Sequence, residues 1–127
     1  MGGKGAKFEN GKYKEQLWKQ DTDYGPICGI KVLKKTVGNG VSLPFCSVKP
    51  GTKYIALRKD GSFFMLRVYD MNRFPLYDVE YGCHGSNVRT LHVHFFPNNE
   101  RDKNPTLLNP GDEIYERHKD VLKKFGL

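Results

Sequence analysis

The chain has 127 residues, with 21 Lys and Arg against 14 Asp and Glu, a net charge of +7; this is the size of one domain able to bury its own core. A hydrophobic fraction of 38% excludes a disordered chain. No apolar run reaches the length of a membrane span, and the opening Met1-Gly2-Gly3-Lys4-Gly5-Ala6-Lys7 lacks the apolar segment of a secretory signal.

The excess of positive charge points to a polyanionic partner, of which nucleic acid is the commonest. Gly2 invites a myristoylation reading, but Ala6 stands where that signal wants Ser or Thr. The three cysteines, Cys28, Cys46 and Cys83, form no CxxC pair. An odd count without a signal sequence favours reduced thiols in a cytoplasm. Cys28 and Cys46 are expected to act as small hydrophobic residues.

Residues 1–25 read as a flexible basic arm, because glycines there alternate with Lys4, Lys7, Lys12, Lys14 and Lys19. Trp18, with Leu17 and Tyr13, is its expected anchor. A single α+β domain follows over 26–127. Tyr24-Gly25-Pro26 reads as a turn, and 27–37 as a strand in which Ile30 and Val32 alternate with lysines. Gly38-Asn39-Gly40 is a turn signal, and 41–45 a short strand that Pro44 pushes to an edge or a loop.

Lys53–Lys59 is a strand with Tyr54, Ala56 and Arg58 on one face and Ile55 and Leu57 on the other. Asp60-Gly61 turns it into a return strand, Ser62–Asp70, apolar on both faces and therefore central. Phe74–Tyr81 is the next strand, and 82–87 a loop carrying Cys83 and His84. Thr90–Phe96 then alternates cleanly. Leu91, Val93 and Phe95 point one way, and His92 and His94 the other, roughly 6–7 Å apart along the strand. A polar loop occupies 97–105. A helix starts at Asp112 as N-cap, places Ile114, His118, Val121, Leu122 and Phe125 on one side, and stops at Gly126. The expected fold is thus a mostly antiparallel sheet of about four to six strands with one C-terminal helix packed on it.

Three of the four histidines fall between 84 and 94. Histidine suits both proton transfers of RNA cleavage by the internal 2′-hydroxyl, and Lys or Arg suits the developing charge. His92, His94 and His84 are the catalytic candidates. Arg67, Arg89, Arg58, Lys53 and Tyr69 are the nucleic-acid-binding candidates, the tyrosine by stacking. This reading needs no cofactor. A second reading is a small metal-binding protein in which His92 and His94 hold one ion, Cys83 or His84 adds a third ligand, and Glu100 or Asp102 a fourth. The run from Gly85 through His92-Val93-His94 to Glu100 and Gly111 is loosely similar to the first cupin motif, but Glu100 and Gly111 come later than that pattern wants. Cys83 and His84 make no nucleophilic pair, since adjacent side chains on extended backbone diverge. His118, on the apolar helix face, is expected to be a hydrogen-bonded packing residue.

The order of short motifs resembles a family of small phage and prophage proteins of Gram-positive bacteria, found beside or fused to minor capsid proteins. The matching features are Gly2, Gly3, Gly5 and Ala6; Tyr24-Gly25; the Gly51-Thr52-Lys53-Tyr54-Ile55 strand leading to Asp60-Gly61; Arg67 to Arg73; His92-Val93-His94; and Pro110-Gly111-Asp112-Glu113. The resemblance implies a barnase/EndoU/colicin/RelE-like ribonuclease fold, metal-independent RNA cleavage and paired catalytic histidines at His92 and His94. It also implies a location in the bacterial host cytoplasm or in the virion. Where the pattern has a third histidine a few residues later, this chain has Asn98 and Asn99, so His84 becomes the substitute. A non-enzymatic phage protein that binds and blocks a host component is the alternative from the same resemblance.

Overall fold

A computed structural model of the protein describes residues 17–127 apart from 37, 39 and 86. The glycine- and lysine-rich stretch through residue 16, with Tyr13, and the centre of the Gly38–Gly40 turn therefore lie outside the described residues. The architecture is α+β. Seven strands form one sheet in chain order: β1 (Trp18–Gln20), β2 (Lys31–Lys35), β3 (Lys53–Leu57), β4 (Phe63–Tyr69), β5 (Pro75–Cys83), β6 (Arg89–Phe95) and β7 (Thr106–Leu107). Two short helices follow, α1 (Glu113–Arg117) and α2 (Lys119–Lys124). No helix among the described residues is long and apolar enough to cross a membrane.

The strand count exceeds the four to six expected. The additional strands are the edges, β1 and β7, of three and two residues. Such short edges have no alternation of their own to read; pairing with β2 and β6 creates them. The interior strands match their sequence patterns. β4 is buried along most of its length, with Leu66 at 0% and Met65 at 5% exposure on opposite faces. The β3–β4 turn places Gly61 at φ +87, and the Asp60 carboxylate accepts from the Ser62 amide and hydroxyl. The turn into β5 is held by the Asp70 carboxylate, which accepts from the amides of Asn72 and Phe74.

All neighbouring pairs are antiparallel except β2 and β3, which run parallel. A parallel pair needs a crossing connection, and residues 36–52 supply it. The strand expected at 41–45 does not form. This segment lies across one face of the sheet instead, with Leu43 buried there. The Leu43 and Pro44 carbonyls accept from Arg67, and the Ser42 carbonyl accepts from the Trp18 indole. The face beneath it carries Leu33, Tyr54, Ala56, Met65 and Tyr69. The opposite face carries Val32, Ile55, Leu66, Val79 and Val93, and the helices cover it with Tyr115, Val121 and Leu122.

The single helix expected from Asp112 is broken at His118, whose backbone (φ −115, ψ 17) leaves the helical region. The break turns the imidazole inward, where its Nε2 lies 2.7 Å from the Tyr77 hydroxyl. His118 is 3% exposed, and burial first, then Lys53 and Arg117, push its pKa down to about 4. It is therefore neutral at pH 7, accepts the Tyr77 proton, and serves as the packing residue expected.

A folded-state pKa below the unfolded value of about 6.5 means that the unfolded chain binds the extra proton first. Stability is therefore full above about pH 6.5 and falls as the pH drops toward about 4, by roughly 3 kcal/mol at most from this group. In His118→Gln, which keeps an acceptor for Tyr77 but does not titrate, urea denaturation should show a clearly shallower loss of stability between pH 6.5 and 4. Identical slopes in the two proteins would contradict this role.

Candidate functional site

Strands β5 and β6 each carry two polar residues at a spacing of two: Asp78 and Glu80, and His92 and His94. Side chains alternate faces along a strand, so each pair shares one face. The antiparallel register sets Asp78 opposite His94 and Glu80 opposite His92. β4 extends the rows, with Arg67 opposite Asp78 and Met65 opposite Glu80. One rung therefore reads Arg67, Asp78, His94, and the next Met65, Glu80, His92. Both lie on the face that the 36–52 segment crosses.

The first rung is anchored by a buried ion pair. Asp78 is 0% and Arg67 8% exposed. The Arg67 Nε–Asp78 Oδ1 and Nη2–Asp78 Oδ2 distances are 2.6 and 2.9 Å, a two-pronged contact. Burial alone would lower the Arg67 pKa, but the Asp78 carboxylate outweighs it and holds the guanidinium charged, above its ordinary value. Arg101, from the loop after β6, reaches over both rungs; it donates to Asp78 Oδ2 at 3.3 Å and to Glu80 Oε2 at 3.1 Å.

The histidines lie inside this frame, both 1% exposed. His94 Nδ1 is 2.7 Å from the Asp102 carbonyl, so this nitrogen carries the proton and donates. Its Nε2 makes no hydrogen bond among the described residues and lies 3.5 Å from Glu80 Oε1. Burial pushes the His94 pKa below its ordinary value, against the Asp102 hydrogen bond and with help from Arg101, so the ring is neutral at pH 7. His92 Nδ1 lies 3.0 Å from the Thr90 carbonyl, and its Nε2 3.0 Å from the same Glu80 oxygen. The two rings are 5.1 Å apart between centroids. His84 joins them from the β5–β6 hairpin, with its ring 5.7 Å from His92 and 5.5 Å from His94. Its even position continues the face of Glu80 and Gly82, and it is exposed.

His84, His92 and His94 are thus brought together, and the binding candidates are dispersed. Arg67 spends its guanidinium on Asp78 and two carbonyls. Tyr69 is 1% exposed, with its ring edge-on to Tyr54 and its hydroxyl on the Pro44 carbonyl, and so presents no stacking surface. Arg58 donates to the Phe63 and Tyr81 carbonyls and lies over the Phe64 ring. Lys53 sits at the start of β3 with the parity of Ile55, on the helix-covered side, where it acts on His118. Arg89 is exposed at the hairpin end of β6, opposite Cys83.

Of the ligands considered beside the histidines, Cys83 is exposed with the opposite parity, and Glu100 is exposed in the loop. Asp102 contributes its carbonyl, while its carboxylate accepts from the Asn104 amide. Asn98 and Asn99 have φ of 54 and 63, a left-handed turn that asparagine tolerates well. Cys28 is exposed at φ 51, contrary to the packing role expected of it, while Cys46 is half-buried.

Sequence reading missed Glu80, Asp78 and Arg101. The signal for the first two was present: Asp-Val-Glu in one strand of a hairpin and His-Val-His in the other, with matching period. Arg101 had no such signal, because a loop of irregular backbone brings it back. The chain matches no known family model, and neither a curated protein nor a solved structure matches it.

Removing Asp78 leaves a buried guanidinium without its carboxylate, a loss of about 3–5 kcal/mol. Asp78→Ala should therefore shift the urea midpoint strongly downward, and the double variant Arg67→Met/Asp78→Leu should cost less than the sum of its single changes. A single-variant loss below about 1 kcal/mol would show that the pair does not anchor this face.

Proposed function

We propose that this protein is an RNA-binding domain with ribonuclease-type chemistry, in which side chains supply the proton transfers. The observation that carries this reading is the convergence of three imidazoles and the Glu80 carboxylate at one place on the sheet of a strongly basic chain. The resemblance of its motif order to phage-encoded ribonuclease-like domains favours RNA as the polyanion.

Cleavage by the internal route needs a base for the 2′-hydroxyl proton and an acid for the departing 5′-oxygen. The 2′-oxygen bonds to phosphorus, the P–O5′ bond breaks, and a 2′,3′-cyclic phosphate forms. His84 is the exposed imidazole and meets the substrate directly. His92 and His94, behind it, share Glu80 Oε1, which links them as a relay for the second proton. Arg101, partly exposed beside Glu80, takes the charge-stabilising role.

A short single-stranded RNA incubated with the protein in EDTA should yield cyclic-phosphate ends. His84→Ala, His92→Ala and Glu80→Gln should each slow this by about 10²–10⁴-fold. RNA that stays intact through prolonged incubation with folded protein overturns the proposal.

A further inference from the structure

We infer that Glu80 Oε1, His92 Nε2 and His94 Nε2 form a binding site for one divalent transition-metal ion of the zinc class, with the exposed His84 imidazole adjacent to it. The inference stands apart from the RNA reading, because it rests on donor geometry and on the hydrogen bonds that hold each donor. The three donor atoms lie within 4.8 Å of one another. In a tetrahedral site with metal–ligand bonds of about 2.0–2.2 Å, donors sit roughly 3.3 Å apart. Glu80 Oε1 lies 3.0 Å from one histidine nitrogen and 3.5 Å from the other. Imidazoles sharing such an ion have centroids roughly 5 Å apart on the same geometry; the His92 and His94 rings are 5.1 Å apart.

The atoms behind the donors are already held. His94 Nδ1 donates to the Asp102 carbonyl and His92 Nδ1 to the Thr90 carbonyl. Arg101 holds Glu80 by its other oxygen, Oε2. Each of the three groups is thus oriented by its far atom and presents its near one, as metal ligands do. With both Nδ1 atoms protonated, two Nε2 lone pairs face a single carboxylate oxygen. One proton can bridge only one of these contacts. A single cation answers both, including the buried His94 Nε2 that makes no hydrogen bond among the described residues. Two imidazoles and one carboxylate suit zinc and its first-row neighbours rather than calcium or magnesium, which prefer oxygen donors.

Metal and proton chemistry compete for the same lone pairs, so zinc would shut the relay rather than drive it. Binding is measured on the full chain without RNA, after chelator treatment and buffer exchange. Zn²⁺ is the probe for affinity and elemental analysis, and Co²⁺ for the visible spectrum. One ion per chain is expected, with the intense bands of four-coordinate cobalt. Glu80→Gln should weaken binding at least tenfold and His94→Gln at least a hundredfold. His84→Ala should lose less than His94→Gln, and His118→Gln, on the other side of the sheet, should bind as the parent does. Saturating zinc should raise the parent's melting temperature by several degrees and leave His94→Gln, checked as folded by circular dichroism, unmoved. Zinc affinity equal in the parent and in folded His94→Gln overturns the inference, as does an equal loss in His118→Gln. RNA cleavage in EDTA by a protein that takes up no zinc overturns the metal site and leaves the ribonuclease reading standing. Stoichiometric zinc on a protein that never cleaves RNA does the reverse.

Discussion

The pairing register of β5 with β6 is the constraint on which the candidate site depends. It sets Asp78 against His94 and Glu80 against His92. A slip of β6 by one residue would send His92 and His94 into the helix-covered core and bring Val93 out in their place. The register is held by the same residues on their other side, since Val79 is 0% and Val93 1% exposed beneath the helices. Hydrophobic burial on one face therefore aligns the polar groups on the other.

A charged row on a covered face is costly unless each member has a partner. Here the partners form a chain. Arg67 neutralises Asp78, Arg101 ties Asp78 to Glu80, and Glu80 faces both imidazoles. The crossing segment 36–52 completes the arrangement, since its carbonyls at Leu43 and Pro44 accept from Arg67 Nη1. The parallel pairing of β2 with β3 makes that crossing necessary, so an unusual feature of the topology is also what covers Arg67. Among the described residues, His94 Nε2 is the buried side-chain atom of this network that makes no hydrogen bond. Buried nitrogens of this kind are rare in folded proteins.

Much of the framework was legible in the chain. The alternation of Tyr54 to Leu57, the doubly apolar run of Phe63 to Tyr69, and His92 and His94 on one side of their strand all appear where pattern placed them. Pattern works there because a strand's period of two needs no knowledge of its neighbours. It failed at Trp18–Gln20 and Thr106–Leu107, where pairing alone makes a strand, and at His118, where the backbone leaves the helical region inside a stretch that periodicity runs straight through.

The amino-acid sequence by itself determined the class of fold, the two faces of each central strand, and the placement of His92 and His94 on one of them. It also carried Asp78-Val79-Glu80 in plain view, though which strand lay opposite was not written locally. Only the tertiary structure decided that Glu80 belongs to the site, that Arg67 and Tyr69 are structural, and that Arg101 closes over the cluster. The reason is that alternation is a property of one strand. Partnership between charges depends on register, crossing connections and loop return, which bring together residues that sequence distance keeps apart.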